Sequence, residues 1–384
     1  MIEIFHHNEF IATLQSDNKK YILEYKNFDL KNSISLSLPN TQKFYISEYD
    51  FIPYFESFLP EGYLFEIFKN YLTKEYGYID DFLLFSILAP NIDGRIKYGK
   101  SNEFDIEFEL DYILENDNED TFNYLLNIFL QKNAISGVQP KTIAILKDKE
   151  KLNIKNYIIK TWGNEFPYLA ENEYICLKTL EFAGIKIPKI YLSNNKKFLV
   201  VERFDSEKEG FEEILSIMGK TRQFKYNGSY EQIAKTIYQF ISNPKEMEEF
   251  FKLIVMNYLL KNGDAHLKNF GLLFNDDFSE IKLAPAYDVV TTTAYIFKDK
   301  PALTMFGRKK WYYEELIEFG KKQCLLDNAK SLFEECLIAR ERGIEFLENY
   351  INQNPHFEKI GKRMLDSWNN KEITDDIIRT WRKN

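Results

Sequence analysis

An α+β fold is predicted, strand-rich up to about residue 205 and helical beyond it. Three observations carry that prediction. Short alternating apolar segments crowd the first half, and apolar residues recur at helical spacing in the second. A polar turn, Asn275-Asp276-Asp277, also sits between two short apolar runs, the mark of a hairpin. The 384 residues, 45% hydrophobic and 16% aromatic, suffice for two or three units with separate cores, and they exclude a disordered chain. A net charge of -9 argues against a chain that coats nucleic acid by itself. Cys176, Cys324 and Cys336 are widely spaced with no Cys-x-x-Cys pair, so neither a disulfide framework nor a cysteine zinc site is expected. The most apolar short run, Phe82 to Ala89, falls far below a membrane span, and no basic segment leads into an apolar signal core. A cytoplasmic location without membrane association is the expectation.

Taken in order, residues 1–100 mix alternating segments, Tyr21 to Tyr25 and Ile34 to Leu38, with aromatic-rich helical stretches from Tyr54 to Tyr71. They are read as a small α+β subdomain. Ser101 to Asp120 is acidic and polar, with residues 115–120 expected as a solvated surface connection. A helix follows from Phe122 to Leu130, then strands with one further helix complete residues 101–205. Residues 206–384 are dominated by helical periodicity through Trp381, and no internal repeat is evident.

The chemistry is concentrated in Asn262-Gly263-Asp264-Ala265-His266-Leu267-Lys268-Asn269, followed by Ala286-Tyr287-Asp288. Upstream, Asn243-Pro244-Lys245-Glu246 reads as N-cap, first helical position and capping-box acid. Apolar residues at 250, 251, 254, 255, 258 and 259 extend a helix to about Lys261. Gly263 suits a left-handed exit, which places Asp264 on the loop beyond. The hairpin after Asn269 has its turn midway to Asp288, so antiparallel pairing returns Asn269 and Asp288 to the same open end. Phosphoryl transfer needs an aspartate beside the attacking hydroxyl and oxygen ligands that hold magnesium against nucleotide phosphates. Asp264 suits the first role, and Asn269 and Asp288 the second. Any one of these residues is a common turn former; the argument rests on their order and spacing. His266 is given a supporting role, hydrogen-bonding the loop. A loop acid followed by a hairpin with ligands at both feet is the catalytic segment of protein-kinase-like enzymes.

The strand-rich middle supplies nucleotide-binding candidates. Ser136-Gly137-Val138-Gln139-Pro140-Lys141-Thr142 precedes an apolar strand, Ile143 to Leu146, where a loop can fold over phosphates through backbone NH groups. Its single glycine matches neither the Walker A pattern nor the three-glycine kinase loop. A polar hairpin tip is read at 147–151. The strand Tyr157-Ile158-Ile159-Lys160 then ends in a lysine, which in most proteins points to water. In kinases such a lysine touches the nucleotide phosphates and pairs with an acid on the next helix. Glu173, with Glu171 as the alternative, is the acid of choice on the helix that starts near Ala170. Lys197 to Asp205 reads as a strand running into a polar exit, the character of an adenine-binding hinge that includes Glu202 and Phe204.

Together with Asn172-Glu173-Tyr174, Val201 to Asp205 and Pro285 to Asp288, these motifs resemble the HipA-like serine/threonine kinases, toxins of bacterial toxin-antitoxin modules. The resemblance runs over nearly the whole chain. Phe55 to Gly62 is similar to that family's N-terminal subdomain, which some members encode as a separate small protein. The resemblance implies a bilobal protein-kinase-like fold with an extra N-terminal α+β subdomain and a helical C-lobe, with ATP and magnesium as cofactors. It further implies Asp264 as catalytic base, Asn269 and Asp288 as metal ligands, and Ser136, Gly137, Val138, Gln139, Lys141, Lys160, Glu202, Phe204, His266 and Lys268 as nucleotide-binding residues. The expected protein substrate is an aminoacyl-tRNA synthetase, and the expected partner an antitoxin of helix-turn-helix type, through which any DNA contact is indirect. The family loop at Ser136 is a site of autophosphorylation; this chain has Ala134 where some members carry a second serine. Two other readings stay open: a small-molecule phosphotransferase of the aminoglycoside or choline kinase type, and a non-catalytic subunit of a repressor complex.

Overall fold

The computed structural model describes residues 1–100, 109–132, 150–154, 156–205, 208–241 and 243–369. The chain divides into two compact units, one formed by Met1–Pro167, Ile190–Phe224 and Leu272–Ile281, the other by Tyr168–Lys189, Lys225–Gly271 and Lys282–Asn384.

The first unit opens with an antiparallel sheet of β1 (Ile2–His6), β2 (Glu9–Asp17), β3 (Lys20–Tyr25), β4 (Phe44–Glu48) and β5 (Ile96–Tyr98), in the order β4-β3-β2-β1-β5. His7-Asn8 and Asn18-Lys19 make the first two turns with positive φ at every position, the geometry whose twist matches right-handed strands. Alternation in β3 buries Tyr21, Leu23 and Tyr25. They share one core with residues of α1 (Pro53–Glu56), α2 (Gly62–Tyr76) and α3 (Asp81–Leu88). Phe55 is fully buried there, 5.3 Å from the Phe85 ring and 6.1 Å from that of Tyr98. Phe55→Ala is therefore expected to cost about 3–5 kcal/mol of stability, through lost transfer energy and a residual cavity. Urea unfolding with an unchanged slope against denaturant would read that loss directly.

Ile34 to Leu38 is not the strand that its alternation predicts. Its backbone is satisfied by side chains instead of a ladder. Tyr25 Oη accepts from Ile34 N and donates to the Leu38 carbonyl, Arg95 reaches the Ser33 and Ile34 carbonyls, and Ser37 N donates to Glu212. The connection at 115–120 is also less solvated than expected. It lies between α4 (Leu110–Glu115) and α5 (Glu119–Lys132), and Asp117 is buried, accepting from Ser193 Oγ, Asn195 Nδ2 and Lys197 N.

A second antiparallel sheet comprises β6 (Glu150–Ile154), β7 (Tyr157–Thr161), β8 (Ile190–Leu192) and β9 (Leu199–Glu202), in the order β6-β7-β9-β8. Residues 150 and 151, read above as part of a hairpin tip, are paired strand residues, opposite Thr161 and Lys160. The remaining elements of this unit are β10 (Glu209–Glu213), α7 (Ile214–Ile217) and most of β11 (Gly271–Asn275).

The second unit is mainly helical: α6 (Leu169–Phe182), α8 (Tyr230–Phe240), α9 (Pro244–Leu259), α10 (Tyr313–Lys322), α11 (Ala329–Gln353) and α12 (Glu358–Trp368). Helix α8 starts at a Ser229/Gln232 capping box, and α9 at Asn243, whose side chain accepts from Lys245 N ahead of Pro244 at the first helical position. Helix α11 packs on both α6 and α9. A Cβ on Gly343 would stand 2.4 Å from Thr179 Cγ2, so a glycine is what lets α11 approach α6 so closely. Among the described residues no helix is long and apolar enough to cross a membrane.

Candidate active site

The loop after α9 is held by its own polar side chains. Helix α9 ends at Leu259, and the left-handed residue is Lys261 (φ 57), not Gly263 as expected. Gly263 is required for a different reason. A Cβ there would lie 2.1 Å from Asp299 Oδ2 and 2.8 Å from Thr292 Oγ1, and Thr292 Oγ1 accepts from Gly263 N. Asn262 is buried; its Nδ2 donates to Asn257 Oδ1 at 2.7 Å and its Oδ1 accepts from Asp264 N at 3.0 Å. These bonds fix the backbone on either side of Asp264 and leave the Asp264 side chain exposed at the loop surface. Its Oδ1 accepts from the Tyr226 hydroxyl at 2.9 Å, and the Tyr226 ring meets that of His266 edge-on at 5.2 Å.

His266 and Asn269 bracket a single helical turn. Asn269 N donates to the His266 carbonyl at 3.0 Å, and the Asn269 carboxamide oxygen accepts from His266 N at 2.9 Å. One lone pair of that oxygen is thereby used for orientation, and a carbonyl-type oxygen has two. The predicted hairpin follows in β11 and β12 (Ile281–Leu283), with Asn275 N bonded to the Glu280 carbonyl at the turn and Ala284 N to the Gly271 carbonyl at the open end. Beyond that end the Tyr287 hydroxyl donates to the Lys268 carbonyl at 2.7 Å, so the immediate neighbours of Asn269 and Asp288 are tied together. Asp288 is half-buried with φ 55, a left-handed backbone uncommon outside glycine and the sort of outlier that clusters at functional sites.

Asn172 secures the segment after Asp288. Its amide donates to the Thr291 carbonyl at 3.1 Å and accepts from Thr291 N at 2.8 Å, a pairing that an aspartate cannot make. Trp368 Nε1 adds a bond to Thr291 Oγ1 at 2.8 Å. Of the two candidate acids on α6, Glu171 accepts from the Tyr350 hydroxyl and lies 2.9 Å from His356 Nε2, contacts within the helical unit, and Glu173 is buried.

In the first unit, Lys160, followed in β7 only by Thr161, pairs with Leu199 and is 4% exposed, so it does not point to water as an isolated strand-end lysine would. Glu202 closes β9 opposite Tyr157, and the Phe204 ring packs edge-on against Phe211 at 5.2 Å. Ser136, Gly137, Val138, Gln139 and Lys141 lie outside the described residues. Sequence reading had no means of finding Tyr226 or Thr291, because their contacts with Asp264 and Asn172 span 38 and 119 residues of chain.

The fold is a mixed one, with two antiparallel sheets in one unit and mainly helices in the other. Residues 133–343 match the sequence model of the HipA-like C-terminal domain and residues 2–99 that of the HipA N-terminal domain. The chain belongs to the HipA-like family. A Haemophilus influenzae protein named "Putative kinase" is 30% identical over 271 residues, which span 60% of this chain and 79% of that one. A Sinorhizobium fredii protein of the same description is 24% identical over 331 residues, 78% of this chain and 76% of its own. Among solved structures, Shewanella oneidensis HipA, determined in complex with HipB and its operator DNA, covers 96% of both chains with a TM-score of 0.69 and 17% identity, a likeness of fold.

Proposed function

We propose that this chain is an ATP- and magnesium-dependent serine/threonine protein kinase that acts as a toxin. The observation that carries the reading is the pinned loop, with exposed Asp264 at its surface and Asn269 and Asp288 at the two feet of one hairpin, their neighbours joined by the Tyr287 to Lys268 bond. Asp264 accepts the proton of the attacking hydroxyl, and Tyr226 keeps its carboxylate oriented. Asn269 and Asp288 offer only oxygen donors, the set that suits a hard dication such as magnesium. When bound, ATP and magnesium supply the transferable phosphoryl group and the neutralisation of its charge. Lys160 is the candidate for the nucleotide phosphates, Glu173 the candidate acid on α6, and the backbone around Glu202 and Phe204 the candidate for the adenine. His266, Lys268 and residues 136–141 are further candidates for nucleotide binding. Membership in the HipA-like family supports an aminoacyl-tRNA synthetase as substrate, arrest of translation as the outcome and a cytoplasmic setting. The HipB and operator DNA held by the Shewanella protein support a DNA-binding antitoxin as partner, with DNA reached only through it.

Incubation of the pure protein with labelled ATP, magnesium and a cell lysate is expected to label a protein band of synthetase size. Label on free alcohols and on no protein would point to a small-molecule phosphotransferase. Phosphopeptide mapping of the same incubation is expected to place a phosphate on Ser136. About two added negative charges beside the γ-phosphate would repel it, so Ser136→Asp is expected to be much less active than Ser136→Ala. A fully active Ser136→Asp enzyme would leave that serine without a regulatory role.

A further inference from the structure

Away from the candidate active site, two imidazoles and a carboxylate converge. Ligand atoms of His6, His7 and Asp276 all lie within 4.8 Å of one another. Consecutive strand residues point to opposite faces of a sheet, yet these two rings lie side by side, with centroids 4.2 Å apart and planes tilted by 34°. The cause is the turn between β1 and β2, where φ of 48 at His7 and 65 at Asn8 swings the second ring onto the first. Both Nε2 atoms then face the turn of the β11–β12 hairpin. His6 Nε2 lies 2.7 Å from Asp276 Oδ1, and His7 Nε2 contacts Oδ2.

The surroundings resemble those of ligating histidines. His6 is 4% exposed and its Nδ1 lies 2.9 Å from Asn32 Oδ1. A proton donated there leaves the Nε2 lone pair aimed at the carboxylate, as in metal sites whose histidines are oriented through their other nitrogen. Arg95 is buried, held by the Ser33 and Ile34 carbonyls at 2.5 and 2.8 Å and stacked over the Phe274 and Phe278 rings. Its Nη1 stands 3.6 Å from Asp276 Oδ1 and 3.2 Å from His6 Nε2. The guanidinium occupies the Oδ1 side and leaves Oδ2 to a second cation. Two imidazole nitrogens with a carboxylate favour first-row transition dications over magnesium or calcium.

We propose that His6 Nε2, His7 Nε2 and Asp276 Oδ2 bind a transition-metal dication of the zinc class. An ion bonded at about 2.0–2.2 Å holds its ligand atoms further apart than the present His7–Asp276 contact, so that contact opens to admit it. His7 is 63% exposed, so the fourth position faces solvent and takes water or an external ligand. The ion ties the β1–β2 turn to a hairpin turn 270 residues later in the chain.

Tag-free protein titrated with zinc chloride, followed by calorimetry and thermal unfolding, tests this against His7→Asn. Asparagine adopts the left-handed conformation readily, so the variant keeps its turn and its metal-free Tm is unchanged or higher. Wild type is expected to take up one zinc that the variant does not, and zinc is expected to raise the Tm of wild type alone. Cobalt substituted for zinc should give visible absorption bands in wild type only, and magnesium at equal concentration should move neither protein. A wild type that binds no zinc, or a variant that binds and responds as wild type does, overturns the proposal and leaves an ion-pair clamp.

Discussion

Asp264→Asn is expected to lower phosphoryl transfer by at least about two orders of magnitude, because positioned general-base catalysis contributes roughly that factor or more. The substitution retains the shape of the side chain, and the asparagine oxygen still accepts from the Tyr226 hydroxyl, so the loop has no reason to rearrange. Asp264 is exposed, which spares the variant a buried-charge or cavity penalty. Loss of activity should therefore come with an unaltered circular dichroism spectrum and melting temperature. Label incorporation per enzyme measures the effect, and near-normal turnover by the folded variant would remove Asp264 from the mechanism. In cells lacking the partner, wild type is expected to arrest growth and the variant to be tolerated. Equal toxicity of the two would mean that the chain acts by binding.

How much of this was legible in the sequence depends on whether the signal is local. The start of α9 at Asn243-Pro244 is written in adjacent residues, and so is the hairpin with its Asn275-Asp276-Asp277 turn. The exit of α9 is not. Gly263 looks like a left-handed terminator, but its missing Cβ serves the close approach of Asp299 and Thr292, and Lys261 takes the left-handed position. Ile34 to Leu38 shows the same limit in another form. The alternation of residue types does not become alternating burial, since Ile34, Ser35 and Leu36 are all buried, and the bonding partners are side chains of Tyr25, Arg95 and Glu212, which no period-two pattern identifies. Asp117 reads as one more acid in a solvated run until Ser193, Asn195 and Lys197 close around it. At the candidate site, Asp264, Asn269 and Asp288 stand out by residue type and spacing. Tyr226, Asn172 and Thr291 hold that segment in place through contacts distant in sequence.

The second large effect concerns the metal. Asp288→Asn is expected to weaken ATP binding in the presence of magnesium by an order of magnitude or more, because magnesium prefers an anionic oxygen to an amide oxygen. The strained backbone argues that the variant will fold. Asparagine tolerates the left-handed region at least as well as aspartate, so φ 55 at this position remains accessible. The Tyr287 to Lys268 bond beside it involves neither side chain of the ligand pair and should persist. Lys160→Ala is expected to act differently, since the phosphate contact proposed for this lysine does not depend on the metal. Calorimetry with and without magnesium separates the two. Asp288→Asn should lose most of the magnesium dependence of ATP affinity, whereas Lys160→Ala should bind more weakly in both conditions and keep the dependence. If removing magnesium changes the affinity of Asp288→Asn and of wild type by the same factor, Asp288 is not a metal ligand, and the hairpin feet then need another explanation for the left-handed aspartate.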